Sequence, residues 1–67
     1  MPQLNLSELR EKAEAEIDFE YVEQEGPTTL RFDTHAGTSI FAHASGTIEG
    51  TGRACEKVRA IAKGLMK

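Results

Sequence analysis

Apolar residues recur at helical spacing over the first seventeen positions. They are Leu6, Leu9, Ala13 and Ile17, separated by three, four and four residues. This spacing places them on one stripe of a helix, with acidic residues on the opposite side. Asn5 is a favoured N-cap residue, and Glu8 follows it at the position of a capping box. The pattern predicts a helix over roughly residues 6–16.

From Ile17 the period of the pattern changes from 3.6 to 2. Apolar and acidic side chains alternate, with Ile17, Phe19 and Tyr21 on one face and Asp18 and Glu20 on the other. Such alternation is typical of a half-buried strand. The pair Gly26-Pro27 then predicts a turn, because proline cannot donate to a strand ladder.

Three further strands are predicted after that turn. The second has Leu30, Phe32 and Thr34 on one face and Arg31 and Asp33 on the other. The third covers residues 38–44, and its inner face is either Ile40, Ala42 and Ala44 or Phe41 and His43. Ser45-Gly46 marks a tight reversal, and residues 47–49 form a short fourth strand.

A second amphipathic helix begins near Arg53. Its expected buried stripe is Ala54, Val58, Ile61 and Leu65, with Cys55 and Ala62 on the flanks. The chain is therefore expected to be an α+β protein of order α-β-β-β-β-α, one domain over residues 1–67, with both helices on one face of a small antiparallel sheet. The other sheet face would carry Asp18, Glu20, Arg31, Asp33 and Glu49.

Composition narrows the possible functions. Cys55 is the single cysteine, so no disulfide forms within the chain, and His35, His43 and Cys55 lack the short spacings of a metal site. No nucleophile or phosphate-binding motif is present. We expect a non-enzymatic protein without metal or cofactor. With no apolar stretch near 20 residues and no basic leader, we expect no membrane span and a cytoplasmic location.

Charge is distributed unevenly along the chain. Residues 1–25 contain eight acidic and two basic side chains, a formal charge of −6, whereas residues 26–67 contain three acidic and six basic ones, a charge of +3. Carboxylates spaced along a helix and a strand can imitate a phosphate backbone and attract a basic groove. The candidate partner-binding residues are Glu8, Glu11, Glu14, Asp18, Glu20, Glu23 and Glu25.

Two simpler interpretations compete with that hypothesis. The acidic residues can serve solubility alone, or they can pair with the basic residues of the last helix, which are Arg53, Lys57, Lys63 and Lys67. Those bases could also touch phosphates directly. For His35, His43 and Cys55 the expected roles are structural: two surface or edge histidines and a small buried thiol.

Residues 38–66 resemble part of a TATA-box-binding-protein half-repeat. The resemblance is carried by Ile40-Phe41-Ala42, Ser45-Gly46, Ile48 and Thr51-Gly52, followed by a helix rich in alanine, arginine and lysine. It implies a sheet with one open face, which in that family binds the minor groove. Here Asp18, Glu20, Asp33 and Glu49 fall on that face, so the resemblance supports the fold and not a direct nucleic-acid contact.

In size, acidity and low cysteine content the chain is similar to small phage-encoded inhibitors, including anti-CRISPR proteins. That resemblance implies an inhibitor that mimics DNA and docks on the basic groove of a nucleic-acid-binding protein. Two alternatives stay open from the sequence. One is a structural module that self-associates through its sheet, and the other is a nucleic-acid binder that uses the basic last helix. The chain would be a monomer or a homodimer.

Overall fold

The predicted order of helices and strands is confirmed by the computed structural model, which describes residues 3–66. The chain folds as α1 (Leu6–Glu16), β1 (Phe19–Gly26), β2 (Thr29–Thr34), β3 (Ser39–His43), β4 (Ile48–Glu49) and α2 (Arg53–Leu65). The strands form one antiparallel sheet of order β1-β2-β3-β4. The fold is α+β, with two helices and a small sheet.

Helix α1 begins and ends where its sequence pattern predicts. The Asn5 side chain caps it, since its Oδ1 accepts a hydrogen bond of 3.1 Å from the backbone N–H of Glu8. Leu9 and Ala13 are fully buried. Leu4, which lies before the helix, is also buried, and its N–H donates to the Ala44 carbonyl at 2.8 Å. This bond ties the start of α1 to the sheet.

Strands β2 and β3 place alternate residues in the core. Phe32 of β2 lies opposite Ile40 of β3, and Leu30 lies opposite Ala42; all four are buried. This register decides the inner face of β3, which the sequence left open. Ile40 and Ala42, followed by Ala44, face the core, and Phe41 and His43 face away from it.

The prediction that Tyr21 lies on the same face of β1 as Phe19 is wrong. The strand begins at Phe19 rather than Ile17, and its register shifts between Phe19 and Tyr21. Phe19 lies opposite Thr34 and Tyr21 lies opposite Asp33, so Glu20 is an extra residue on the β1 side. A bulge of this kind exchanges the two faces of a strand. Tyr21 is therefore half exposed and points away from the core.

The core lies between the two helices and one face of the sheet. Its largest fully buried side chains are Phe32, Leu9, Leu30, Ile40, Val58 and Cys55. The buried stripe of α2 is Cys55, Val58 and Ala62. The predicted stripe is thus displaced, because Ala54, Ile61 and Leu65 are only partly buried at its margin. The prediction that Cys55 is a buried thiol is confirmed.

Gly50 permits the close approach of the β4–α2 connection to the sheet. Its φ is +138°, and a Cβ placed there would lie 3.0 Å from the Ser39 carbonyl oxygen and 3.4 Å from the Cys55 sulfur. Both features favour glycine at this position. The connection brings α2 over the sheet face that α1 also covers, so neither helix covers the opposite face.

The bulge in β1 makes a testable prediction about stability. Val22 lies opposite the buried Phe32, so Val22→Thr places a hydroxyl against the core and should lower the free energy of unfolding by about 1–2 kcal/mol. Tyr21→Thr, on the other face, should change it by about 0.5 kcal/mol. Urea denaturation of the two variants measures the difference, and the reverse order of effects would contradict the bulged register.

Candidate functional site

The sheet face away from the helices is a chemically distinctive surface of the described residues, and we call it the open face. The strand register places nine residues on it: Tyr21, Glu23, Thr29, Arg31, Asp33, Ser39, Phe41, His43 and Glu49. Glu20 and Glu25 join it at the two irregularities of β1. The face combines carboxylates, aromatic rings and one guanidinium.

Arg31 lies at the centre of the open face. Its Nε donates to Asp33 Oδ1 at 3.0 Å, and its Nη1 lies 3.4 Å from Glu25 Oε1. The guanidinium carbon is 5.9 Å from the centre of the Phe41 ring, within the range of a cation–π contact. The hydrogen bond to Asp33, followed by that to Glu25, raises the pKa of Arg31. One cation is thus shared by two carboxylates and one ring.

Asp33 is held as a carboxylate by two neighbours. The Ser39 hydroxyl donates to its Oδ1 at 2.7 Å, and Arg31 donates to the same oxygen. The Ser39 hydrogen bond, and then the Arg31 hydrogen bond, lower the pKa of Asp33 below 3.8. Asp33 therefore stays negatively charged at every pH near neutrality.

Tyr21 presents an aromatic ring and a hydroxyl at the edge of the open face. Its side chain is 50% exposed, and its hydroxyl donates to Glu23 Oε1 at 2.5 Å. This hydrogen bond, together with the negative charge of Glu23, raises the pKa of Tyr21 above 10.0. The bond fixes the ring against the strand, so an aromatic side chain and a carboxylate are presented together.

Histidines lie beside the remaining carboxylates of this surface. His43 Nε2 is 2.9 Å from Glu49 Oε1, and its Nδ1 is 3.2 Å from the Thr29 hydroxyl. His35, which lies in the turn after β2, is 3.5 Å from an Asp18 oxygen and 3.9 Å from a Glu20 oxygen. These contacts orient the carboxylates, and they neutralise charge only when the imidazole is protonated.

A shallow polar cavity of about 190 Å³ opens at one end of the face. It is lined by Glu20, Arg31, Asp33, Thr34, Gly37, Thr38 and Ser39. Pockets that bind small molecules are usually larger, about 300–1,000 Å³, and mostly apolar. The arrangement is therefore better suited to a macromolecular surface than to a small ligand.

The structure separates the seven candidate binding residues into two groups of three and one further residue. Glu20, Glu23 and Glu25 lie on the open face. Glu8, Glu11 and Glu14 lie on the exposed side of α1, which packs on the opposite face of the sheet. The seventh, Asp18, lies in the connection between α1 and β1 with its side chain 96% exposed. The candidate residues therefore do not form one continuous surface.

The basic residues of α2 do not pair with α1 within residues 3–66. Arg10 pairs with Glu14 inside α1, and Arg59 pairs with Glu56 inside α2. Arg53, Lys57 and Lys63 are exposed on α2, and Lys67 lies outside the described residues. Among the described residues, no basic residue of α2 forms an ion pair with an acidic side chain of the strands.

The strands and the last helix carry opposite charges. From Asp18 to Gly52 the chain has six acidic residues and one basic residue, Arg31, a formal charge of −5. Residues 53–66 have four basic residues and one acidic residue, a charge of +3. Because α2 packs on the buried face of the sheet, its basic residues lie on the side away from the open face, a side that they share with α1, whose formal charge is −2.

Sequence reasoning missed the aromatic part of the open face. The sequence pattern places Tyr21 in the core, and Phe41 belongs to one of the two possible inner faces of β3. The bulge that turns Tyr21 outward follows Phe19 and contains no glycine or proline. For Phe41 the useful signal was its position opposite Arg31, which depends on knowing the strand register.

Comparisons with protein-family models, with curated proteins and with solved structures found no match. The resemblances to a TATA-box-binding-protein half-repeat and to small phage inhibitors therefore stay predictions. Within residues 3–66, no group of three or more His, Cys, Asp or Glu side chains is placed to hold a metal ion. Neither described helix is long and apolar enough to cross a bilayer.

Replacing Ser39 should alter the titration of Asp33. Ser39→Ala removes the hydroxyl that contributes most to the lowered pKa, so the pKa of Asp33 should rise toward 3.8. A lowered carboxyl pKa stabilises the fold above the unfolded-state value, and this stability is lost as the pH falls through the folded-state value. Ser39→Ala should therefore reduce the loss of stability in acid.

Carbon-detected NMR titration of the Asp33 carboxyl measures this pKa, and acid denaturation measures the stability. Ser45→Ala is the matched control, because the Ser45 hydroxyl bonds to Thr47 and not to Asp33. Equal behaviour of the two variants would contradict the assigned role of Ser39.

The pKa of Tyr21 should depend on Glu23. Glu23→Gln removes the negative charge and weakens the acceptor, so the pKa should fall toward 10.0. Tyr21 is the only tyrosine and the chain has no tryptophan, so phenolate absorbance reports this group alone. Glu11→Gln, on α1, should leave the value unchanged, and an equal shift in both variants would exclude a local effect of Glu23.

Proposed function

We propose that this chain is a small non-enzymatic binding protein whose open face docks on a basic surface of a partner protein. One observation carries the proposal: five carboxylates share with a single guanidinium a sheet face that neither helix covers. The carboxylates are Glu20, Glu23, Glu25, Asp33 and Glu49. An acidic surface of this kind attracts a basic one and accelerates its association.

The carboxylates of the open face are held in position, and the single charge of Arg31 neutralises only part of their negative charge. Arg31 serves both Asp33 and Glu25, whereas Glu23 is bonded to a phenol and Glu49 to an imidazole. The phenol of Tyr21 fixes the position of the Glu23 carboxylate without cancelling its charge. A Lys- or Arg-rich partner would therefore meet carboxylates whose positions are already set.

Aromatic side chains favour a protein partner over a role in solubility alone. Tyr21 is half exposed beside Glu23, and Phe41 lies beneath Arg31. Tyrosine, phenylalanine and arginine are enriched at the centres of protein interfaces, whereas a surface that serves only solubility needs no aromatic residues. The open face has the composition of a small interface with an acidic rim.

The proposed partner surface is a groove that binds nucleic acid. Side chains two apart on a strand lie about 6.5–7 Å apart, and neighbouring strands about 4.8 Å apart, so the carboxylates form a closely spaced array of negative charge. Such an array competes with phosphates for the same cations. The chain would then inhibit its partner by excluding the nucleic acid, which is the behaviour implied by the resemblance to anti-CRISPR inhibitors.

Two matched sets of charge reversals test the proposal. One variant carries Glu20→Lys, Glu23→Lys and Glu25→Lys on the open face, and the other carries Glu8→Lys, Glu11→Lys and Glu14→Lys on α1. Both change the net charge equally. The wild-type chain, immobilised, should retain basic nucleic-acid-binding proteins from a lysate, which elute with salt and are displaced by short duplex DNA.

The open-face variant should lose these proteins, and the α1 variant should keep them. Loss with the α1 set alone would move the binding surface to the helix, and retention by both variants would contradict charge mimicry. Sedimentation of the free chain separates the proposal from self-association, since a tight dimer formed through the sheet would bury the open face. A gel shift of the free chain with DNA tests the basic helix as a nucleic-acid site.

A further inference from the structure

Strand β1 forms one edge of the sheet and is its longest strand. It has eight residues and pairs with β2 on one side. The strand at the opposite edge, β4, has two residues, and Arg59 of α2 donates to the carbonyl of its Ile48. Helix α1 packs against α2 and β2 rather than along β1. The outer edge of β1 is therefore the edge that can accept another strand.

The hydrogen bonds around β2 show which of its backbone groups point toward β3. The Thr34 N–H donates to the Thr38 carbonyl at 2.9 Å, and the Ala44 N–H donates to the Thr28 carbonyl at 2.9 Å. In an antiparallel sheet, residues that bond one neighbour alternate with residues that bond the other. Even-numbered residues of β2 therefore bond β3, and odd-numbered residues bond β1.

The same alternation fixes the direction of the backbone groups in β1. Arg31, an odd-numbered residue of β2, lies opposite Glu23, so the N–H and C=O of Glu23 point inward. Those of its neighbours Val22 and Gln24 then point away from the sheet. These two residues provide outward donors and acceptors spaced as in a regular strand.

Charge determines which strand this edge can accept. Alternate side chains of an added strand would lie on the open face, with the nearest about 5 Å from Glu23. Lysine or arginine at those positions would complement Glu20, Glu23 and Glu25. A second copy of this chain paired through β1 would instead bring its own glutamates to the same surface, and like charges across a strand pair are destabilising.

The length of the accepted strand is limited by the irregularities of β1. Register shifts occur between Phe19 and Tyr21 and between Gln24 and Gly26, so pairing with β2 is regular from Tyr21 to Gln24. We propose that the outer edge of β1 binds a short, extended segment of a partner protein with Lys or Arg at alternate positions, through backbone hydrogen bonds to Val22 and Gln24. The inference rests on the proposed function and specifies how the partner is held.

A synthetic peptide tests strand addition directly. The probe is a peptide of about ten residues that alternates lysine and threonine, with blocked ends. Binding to the full chain should slow hydrogen exchange of the Val22 and Gln24 amides by about tenfold or more, while the Glu23 amide, already bonded to β2, changes little. The same peptide should not bind when the alternate backbone nitrogens that face β1 are methylated, although its charge is unchanged.

Two substitutions of Gln24 provide the matched test in the protein. The Gln24 side chain donates to the Gly26 carbonyl at 2.9 Å, and both Gln24→Ala and Gln24→Pro remove that bond. Only proline also removes the outward N–H, and proline is tolerated at strand edges. Gln24→Pro should weaken binding of the alternating peptide about five- to tenfold relative to Gln24→Ala.

The outcomes separate this inference from the proposed function. Equal binding of the methylated and unmethylated peptides would overturn strand addition, and this result does not depend on whether Gln24→Pro folds. If the reversal of Glu20, Glu23 and Glu25 abolishes binding of basic proteins while Gln24→Pro preserves it, strand addition is wrong and the open face docks as a surface. If neither change affects binding, both proposals are wrong.

Discussion

Burial of one face of the central strand β2 is the constraint on which the other features depend. Phe32 is fully buried, its ring lies 4.8 Å from that of Phe19, and its strand neighbours across the sheet are Val22 and Ile40. Because side chains alternate along a strand, burying Phe32 directs Arg31 and Asp33 to the other side. Both helices cover the Phe32 side, so nothing in residues 3–66 covers the opposite one.

The polar residues of that uncovered side are organised by Arg31. A guanidinium can serve several acceptors at once, and here it contacts Asp33 and Glu25 and lies over Phe41. Exposed ion pairs contribute little to stability, so this arrangement is weak support for the fold. Its consequence is geometric, since the contacts of Arg31 fix the positions of two carboxylates and a ring relative to one another on an exposed surface.

The sequence predicted what depends on local periodicity and missed what depends on register. Helix α1 and the faces of β2 follow from spacing, and Asn5 marks the cap. The inner face of β3 was ambiguous because both alternating sets contain apolar residues, and only pairing with β2 selects Ile40. In the sequence, Tyr21 follows Ile17 and Phe19 at strand spacing, which predicts the same face for all three. The bulge after Phe19 turns Tyr21 to the opposite face. In α2, small residues at Cys55 and Ala62 face the sheet, which moves the larger Ile61 and Leu65 to the margin.

The acidic and basic residues are separated differently in the folded protein from the way they are separated along the sequence. Counted by position, the first 25 residues oppose the rest, but α1 and β1 lie on different sides of the sheet layer. In space the opposition is between the open face, where Arg31 is the single cation, and α2 on the other side. A molecule charged in this way is oriented as it approaches a basic surface, because α2 is repelled while the open face is attracted.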